Sequence, residues 1–225
     1  MLTKEELERI ADYTRQYLYE TGAKRDEERI KRQPRSSEHR WQHTLNVLRN
    51  AEQILAGENA SDELADIVRV AVLMHDISKF TCESKIHAQV GAEVAQKYLT
   101  EQGYPKEFVE RVALAIAEHG KDFSLIPHEQ QGELLSWEGK VLIEADVLDK
   151  LGASAITDAL LSLGKRDRLG FETRAELQGR PMQRAVSSRE YFWTNTGKRM
   201  AEGRFAFFEK FMEQLADEVV EVSSL

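Results

Sequence analysis

The apolar residues of this chain recur every three or four positions, as on one face of an α-helix, and several of these stripes contain histidine or aspartate. The clearest stripe consists of Leu64, Ile67, Val68, Ala71, Val72 and His75. Similar stripes carry His43, His87, His119 and Asp146. A residue that continues an apolar stripe faces the interior of the fold. The sequence therefore predicts a helical core into which polar side chains project.

The same periodicity predicts an all-α bundle, because no stretch shows the alternation of a β-strand. A first helix follows the capping box formed by Thr3 and Glu6, and Ser61 caps the helix that leads to His75. The charged stretch Gly22–Ser37 is interpreted as a connection. Further helices are predicted at about Ser37–Ala56, around His87–Tyr98, from Pro105 to Gly120, at Glu138–Leu163 and at Glu190–Val220.

Length and composition favour one ordered domain over all 225 residues. Hydrophobic residues make up 41% of the chain and there are only 4 prolines, which suits a helical globule. The single cysteine, Cys82, excludes an internal disulfide and fits a reducing compartment. The N-terminal residues are too charged for a secretory signal, and no apolar run has the length of a membrane span. We therefore expect a cytoplasmic protein that does not engage a membrane.

The net charge of −8 argues against general attraction to nucleic acid. The segment 164–189 differs from the rest, because seven basic and three acidic residues give it a local charge of +4. Two interpretations stay open for this segment: a surface that meets an anionic substrate, or a solvated polar loop.

The histidines and aspartates in the stripes need partners. Burying one polar side chain without a partner costs about 1–3 kcal/mol, and folded domains have only ~5–15 kcal/mol of stability. Any one of these histidines alone is more often a satisfied core residue. A divalent cation explains four histidines and two aspartates together, because neutral imidazoles and carboxylates are its ordinary ligands. The six residues are His43, His75, His87, His119, Asp76 and Asp146.

The adjacent pair His75 and Asp76, in VLMHDISKF, also identifies a family. Together with His43 in EHRWQHTLNV and Asp146 in LIEADVLDKLGA, the pair resembles the HD-domain metal-dependent phosphohydrolases, whose ligands follow this order. The resemblance covers about 37–163, followed by the basic loop 164–189 and a packing helix at 190–220. It implies a single HD-type helical domain similar to small stand-alone bacterial members.

Some members of that family hold one metal ion and others hold two. His87 in IHAQVGAEVA and His119 in AIAEHG stand where the family has the additional ligands, so the resemblance implies a second ion with Asp76 as the bridge. The metal could be Mn, Fe, Co, Mg, Ni or Zn. The alternative interpretations are a surface histidine at a helix start for His87 and a histidine favoured by the helix dipole for His119.

The resemblance also implies an activity: cleavage of a phosphate ester or anhydride, most plausibly of a nucleotide, by metal-activated water. Asp76 would orient the nucleophile, and Lys79, where the family commonly has lysine, would stabilise the transition state, unless it is a surface salt-bridge residue. Lys79, Asp149 and Arg40 are candidate substrate contacts, although many small members have aspartate where this chain has Arg40. Asp149, one turn after Asp146, could instead support a metal ligand. The alternative function is a signalling or scaffold module with a structural metal. A homo-oligomer is compatible with either function.

Overall fold

A computed structural model of the protein describes residues 1–123, 126, 128–164 and 189–218. The predicted all-α class is confirmed, because these residues form α-helices and short 3-10 turns and contain no strand. Within the same residues, no helix is both long and apolar enough to cross a membrane. The chain divides into two compact units, Met1–Ala145 and Asp146–Leu225. The assignment of one domain to the whole chain stays a prediction.

The first unit is built around one helix that is buried on nearly all sides. Its helices are α1 Lys4–Ala23, α2 Glu27–Arg32, α3 Ser37–Gly57, α4 Asp62–Met74, α5 His87–Glu101, α6 Lys106–Glu118 and α7 His128–Gln131, followed by the start of α8 Trp137–Asp149. Nine of the thirteen residues of α4 are buried. Helices α1, α3, α5 and α6 all pack against α4, so the end of α4 lies deep in the unit.

Two of the predicted helix starts are confirmed in detail. The Thr3 side chain accepts a hydrogen bond from the backbone of Glu6, and the Glu6 side chain accepts one from the backbone of Thr3. The Ser61 side chain caps α4 by accepting from the backbone of Leu64. The predicted connection over Gly22–Ser37 is only partly right, because it contains α2. Asp26 caps that helix, which is too short to show a periodic apolar stripe.

The predicted helix Glu138–Leu163 is in fact two helices. Helix α8 ends at Asp149, and α9 runs from Gly152 to Gly164. Gly152 has a φ of +67°, in the left-handed region that glycine adopts at little cost. The apolar pattern continues on both sides of this glycine, so periodicity alone did not predict the break.

The second unit contains the end of α8, helix α9 and a C-terminal helix, α10 Asn195–Glu218. A 3-10 turn at Arg189–Tyr191 precedes α10, which therefore begins five residues later than predicted. Helix α9 packs on α10 through a small core of Ile156, Phe208 and Met212. The predicted basic loop 164–189 lies almost wholly outside the described residues.

Two glycines of the second unit should respond to alanine in opposite ways. An alanine at position 152 would have to adopt the left-handed backbone conformation, and its Cβ would lie 3.1 Å from the Cβ of Arg204. Gly152→Ala should therefore lower the free energy of unfolding by about 1–2 kcal/mol. Gly203 lies in α10 with no atom within 4 Å of its ideal Cβ, so Gly203→Ala should raise that free energy by ~0.5–1 kcal/mol. Urea denaturation measures both changes. Equal effects of the two substitutions would contradict the left-handed turn.

Candidate metal centre

The pair His75 and Asp76 lies at the end of α4. Neighbouring side chains on a continuous helix point about 100° apart, so the two can face one site only near a helix end. The helix ends at Met74, and the chain then turns tightly. The backbone N–H of Ile77 donates to the carbonyl of Met74, and that of Lys79 donates to the carbonyl of Asp76, each three residues earlier. The side chains of His75 and Asp76 are almost completely buried. The tight turn lets both adjacent side chains face the same space, which a continuing helix would prevent.

Four histidines surround the carboxylate of Asp76, and all four belong to the first unit. The Nε2 atom of His43, on α3, lies 3.9 Å from Oδ2 of Asp76. The Nε2 atoms of the other three lie 3.8 Å (His75), 3.4 Å (His87) and 3.9 Å (His119) from Oδ1. They come from the end of α4, the start of α5 and the end of α6. The second turn of α3 and the ends of three other helices thus bring together residues that are up to 76 positions apart in the sequence.

Three of these rings are oriented in the same way by the backbone. The Nδ1 atom of His75 lies 2.7 Å from the carbonyl oxygen of Val72, and that of His87 lies 2.6 Å from the carbonyl oxygen of Ser84. The Nδ1 atom of His119 is bonded to the carbonyl of Ile116. A carbonyl oxygen can only accept, so Nδ1 carries the proton in each ring. In the neutral rings Nε2 therefore presents a lone pair towards Asp76, as in histidines that bind metals.

The Nε2 atoms of His87 and His119 approach each other closely. Their Nε2 atoms are 3.0 Å apart, and both rings already carry their proton on Nδ1. Two facing lone pairs at this distance repel unless a positive centre lies between them. Two bonds of ~2.1 Å to one metal ion, at right angles, separate their nitrogens by ~3.0 Å. Asp76, His87 and His119 each offer one ligand atom, and these three atoms lie within 4.8 Å of one another. This donor set fits a divalent ion.

Two cationic side chains also contact Asp76. Arg40 Nη1 lies 3.2 Å from Oδ2, and Lys79 Nζ lies 3.3 Å from Oδ1. Their side chains are only 15% and 13% exposed, so the interpretation of Lys79 as a surface salt-bridge residue does not describe its position. The position of Arg40 could not be predicted from the sequence.

These charges determine the protonation of the site. Burial opposes ionisation of Asp76, but the electrostatic influence of its neighbours, chiefly His75 and then the ammonium group of Lys79, holds its pKa well below the usual value. For His87, burial and then the charge of Lys79 lower the pKa to about 4, against the opposing influence of Asp76. At neutral pH, Asp76 is therefore an anion and His87 a neutral imidazole, which are the forms that bind metals.

Asp146 and Asp149 belong to the second unit. Lys150 Nζ donates to Oδ2 of Asp146 at 2.5 Å, an (i, i+4) contact along the helix. The backbone carbonyl of Asp149 accepts from the hydroxyl of Ser154 at 2.8 Å. The roles of Asp146 as a metal ligand and of Asp149 as a substrate contact stay predictions.

Supporting residues around the histidines were missed in the sequence. The hydroxyl of Ser78 donates to the carbonyl of His87 at 2.6 Å, and a Cβ at Gly91 would lie 3.2 Å from the carbonyl oxygen of His75. These contacts fix the start of α5 against the turn after α4. On α3, the side chain of Asn50 donates to the carbonyl of Ala145 at 3.0 Å. Asn50 lies on the same face of the predicted helix as His43, and only this position in the sequence indicated that it is near the site.

The chain is similar in sequence to known proteins. Residues 40–151 match the HD domain, which confirms the resemblance. The uncharacterised protein YpgQ of Bacillus subtilis is 28% identical over 187 residues, which are 82% of this chain and 86% of YpgQ.

Solved structures of similar fold include YpgQ in complex with ADP, which has a TM-score of 0.63 and 23% identity and is aligned over 96% of this chain and 98% of YpgQ. An HD-superfamily hydrolase of Bacillus thuringiensis has a TM-score of 0.68 and 22% identity over 96% and 97% of the two chains. A predicted HD-superfamily hydrolase from an uncultured Thermotogales bacterium has a TM-score of 0.58 and 26% identity over 92% and 91%.

The ring geometry predicts which nitrogens respond to a metal. Adding Zn²⁺ should shift the ¹⁵N resonances of Nε2 in His75, His87 and His119, while Nδ1 stays protonated because its carbonyl partner remains in place. Ring ¹⁵N spectra of the protein with and without Zn²⁺ measure this, and His39, one turn before His43 on α3, serves as the internal reference. Loss of the Nδ1 protons on Zn²⁺ addition would show that the rings bind through the other nitrogen.

Proposed function

The chain carries an HD domain over residues 40–151, and on this basis we propose that the protein is a metal-dependent phosphohydrolase that cleaves a phosphate ester or anhydride of a nucleotide. One observation carries the proposal: four histidine Nε2 atoms surround the buried carboxylate of Asp76, while Arg40 and Lys79 contact the same carboxylate. Metal ligands beside fixed cations are what hydrolysis of an anionic phosphoryl compound requires.

Two relatives support the class of reaction and of substrate. The Thermotogales protein, 26% identical to this chain, is a predicted HD-superfamily hydrolase. The B. subtilis relative YpgQ forms a complex with ADP, which supports a nucleotide as the ligand of the similar fold.

We assign the ligands of a first ion to His43, His75, Asp76 and Asp146, and those of a second ion to Asp76, His87 and His119. The assignment of Asp146 is supported by Asn50, which lies two turns after His43 on α3 and holds the carbonyl of Ala145, the residue before Asp146. When bound, a divalent ion lowers the pKa of a water molecule and polarises a phosphoryl oxygen.

The side chains of this chain supply the remaining functions. Asp76 is anionic at neutral pH, so it can accept a hydrogen bond from the attacking water and orient it. Lys79 and Arg40 offer donors on the two sides of Asp76, where they can bind the oxygens of a phosphoryl group as negative charge develops. Burial of this set lowers the local dielectric and strengthens both interactions.

The most direct test is metal analysis of the purified protein, followed by an activity screen over phosphorylated metabolites with Mn²⁺, Co²⁺, Mg²⁺ and Fe²⁺. Release of phosphate or pyrophosphate from a nucleotide supports the proposal. A protein that retains metal but hydrolyses none of these compounds would instead be a signalling or scaffold module with a structural ion.

Alanine substitutions of Asp76 and Lys79 should distinguish loss of metal binding from loss of turnover. Asp76→Ala should abolish both metal retention and hydrolysis, because the carboxylate is the central ligand and orients the water. Lys79→Ala should retain the metal and lower kcat by about 10²–10³-fold, the usual effect of removing one transition-state donor. Metal content and steady-state kinetics measure these effects, with the exposed Asp12→Ala as the control. Equal metal loss in both variants would show that Lys79 is misassigned.

His87 and His119 should determine the number of ions. With a two-metal centre, His87→Ala and His119→Ala should each retain about one equivalent of metal, held by the remaining ligands, while activity falls steeply. Metal content at saturation, compared with the wild type and with His39→Ala, measures this. A wild-type protein that saturates at one equivalent in excess Mn²⁺ and Fe²⁺ would exclude the second ion.

A further inference from the structure

A buried carboxylate that the proposed chemistry does not use lies next to a proposed metal ligand. Glu118 is the last residue of α6 and directly precedes His119, and it is only 3% exposed. Both of its carboxylate oxygens accept from the backbone N–H of Ser136 at 3.1 Å, and Oε2 also accepts from the Ser136 hydroxyl at 2.5 Å. Lys121 Nζ approaches Oε1 at 3.4 Å.

Ser136 is the N-cap of α8, so these bonds join two helix ends. Its hydroxyl oxygen accepts from the backbone of Gly139 at 2.9 Å, and its carbonyl accepts from the backbone of Lys140. The positive end of the α8 dipole also favours a carboxylate at this position. A Cβ at position 139 would overlap Oε2 of Glu118, so glycine is required here for the close approach. The last turn of α6 is thereby fixed against the first turn of α8.

The orientation of His119 depends on that last turn of α6. Its ring is fixed by the bond from Nδ1 to the carbonyl of Ile116, which itself belongs to the turn. Glu118 and His119 point in directions about 100° apart, as adjacent helical residues do, so fixing one sets the rotation of the other. The Nε2 atom of His119 must reach both Asp76 and His87, at 3.9 and 3.0 Å, and a small rotation of the turn would break this arrangement.

We propose that Glu118 is a positioning residue for His119: by binding Ser136 at the start of α8, it holds the His119 ring in the orientation that binds metal. This inference rests on the metal centre of the proposed function. Partners that orient ligands from outside the coordination sphere typically contribute 10–100-fold to metal affinity.

The test compares Zn²⁺ and Mn²⁺ dissociation constants of the full-length protein with those of four variants. Glu118→Ala should weaken binding of the ion held by His119 by about 10–100-fold. Glu118→Gln, which keeps an acceptor for the Ser136 N–H, should recover much of that affinity. Gly139→Ala should reproduce the loss, because its methyl group displaces the carboxylate while Glu118 is retained. Glu110→Ala, an exposed glutamate on α6 paired with Lys106, is the matched control and should leave affinity within twofold.

The unfolding temperature and the ring ¹⁵N shifts of metal-free protein separate positioning from stability. Displaced His119 resonances in Glu118→Ala and Gly139→Ala, with His43 unchanged, support positioning. A lower unfolding temperature with unchanged affinity and unchanged His119 resonances would overturn the inference and leave Glu118 with a purely structural role. If the wild type binds metal without hydrolysis, the proposed function fails but these affinities still test Glu118. If the wild type binds no metal, the proposed function fails and the His119 resonances alone decide.

Discussion

The structure of the first unit depends on the burial of one carboxylate. Asp76 lies in the interior, where an isolated negative charge would be unstable, and it is surrounded by four imidazoles and two cationic side chains. These partners come from four helices, so satisfying one charge fixes the relative positions of α3, α4, α5 and α6. The most deeply buried helix, α4, delivers the carboxylate at its C-terminal end, where the turn after Met74 exposes two adjacent side chains to one space.

Much of this arrangement could be predicted from the sequence, because a helical stripe records which residues face inward. The stripe from Leu64 to His75 predicted both the helix and the inward direction of the His75 side chain. Periodicity has no signal for a single left-handed residue, however, so the break at Gly152 was missed although apolar residues continue on both sides of it. The short helix α2 was missed because six residues contain too few turns to show a pattern.

The contacts of charged residues were harder to predict than their burial. Arg40 lies three residues before the predicted ligand His43, but nothing in the sequence indicated that its guanidinium would reach Asp76. Glu118 is the stronger example. It binds the backbone N–H and the hydroxyl of Ser136, eighteen residues later, and two residues so far apart form no recognisable pair in the sequence. Stripes therefore indicated the proposed ligands, whereas the contacts of the side chains around them required the structure.

The choice of backbone carbonyls as partners for His75, His87 and His119 has an evolutionary consequence. Each Nδ1 atom is held by the carbonyl of the residue three positions earlier, and every amino acid provides that carbonyl. A mutation at Val72, Ser84 or Ile116 therefore replaces a side chain but keeps the carbonyl, so the mutation does not by itself move the proton from Nδ1 to Nε2. A carboxylate partner would be lost by a single mutation, whereas these partners are immune to sequence drift as long as the helix ends persist. The donor chemistry of the centre can thus be inherited with the backbone alone.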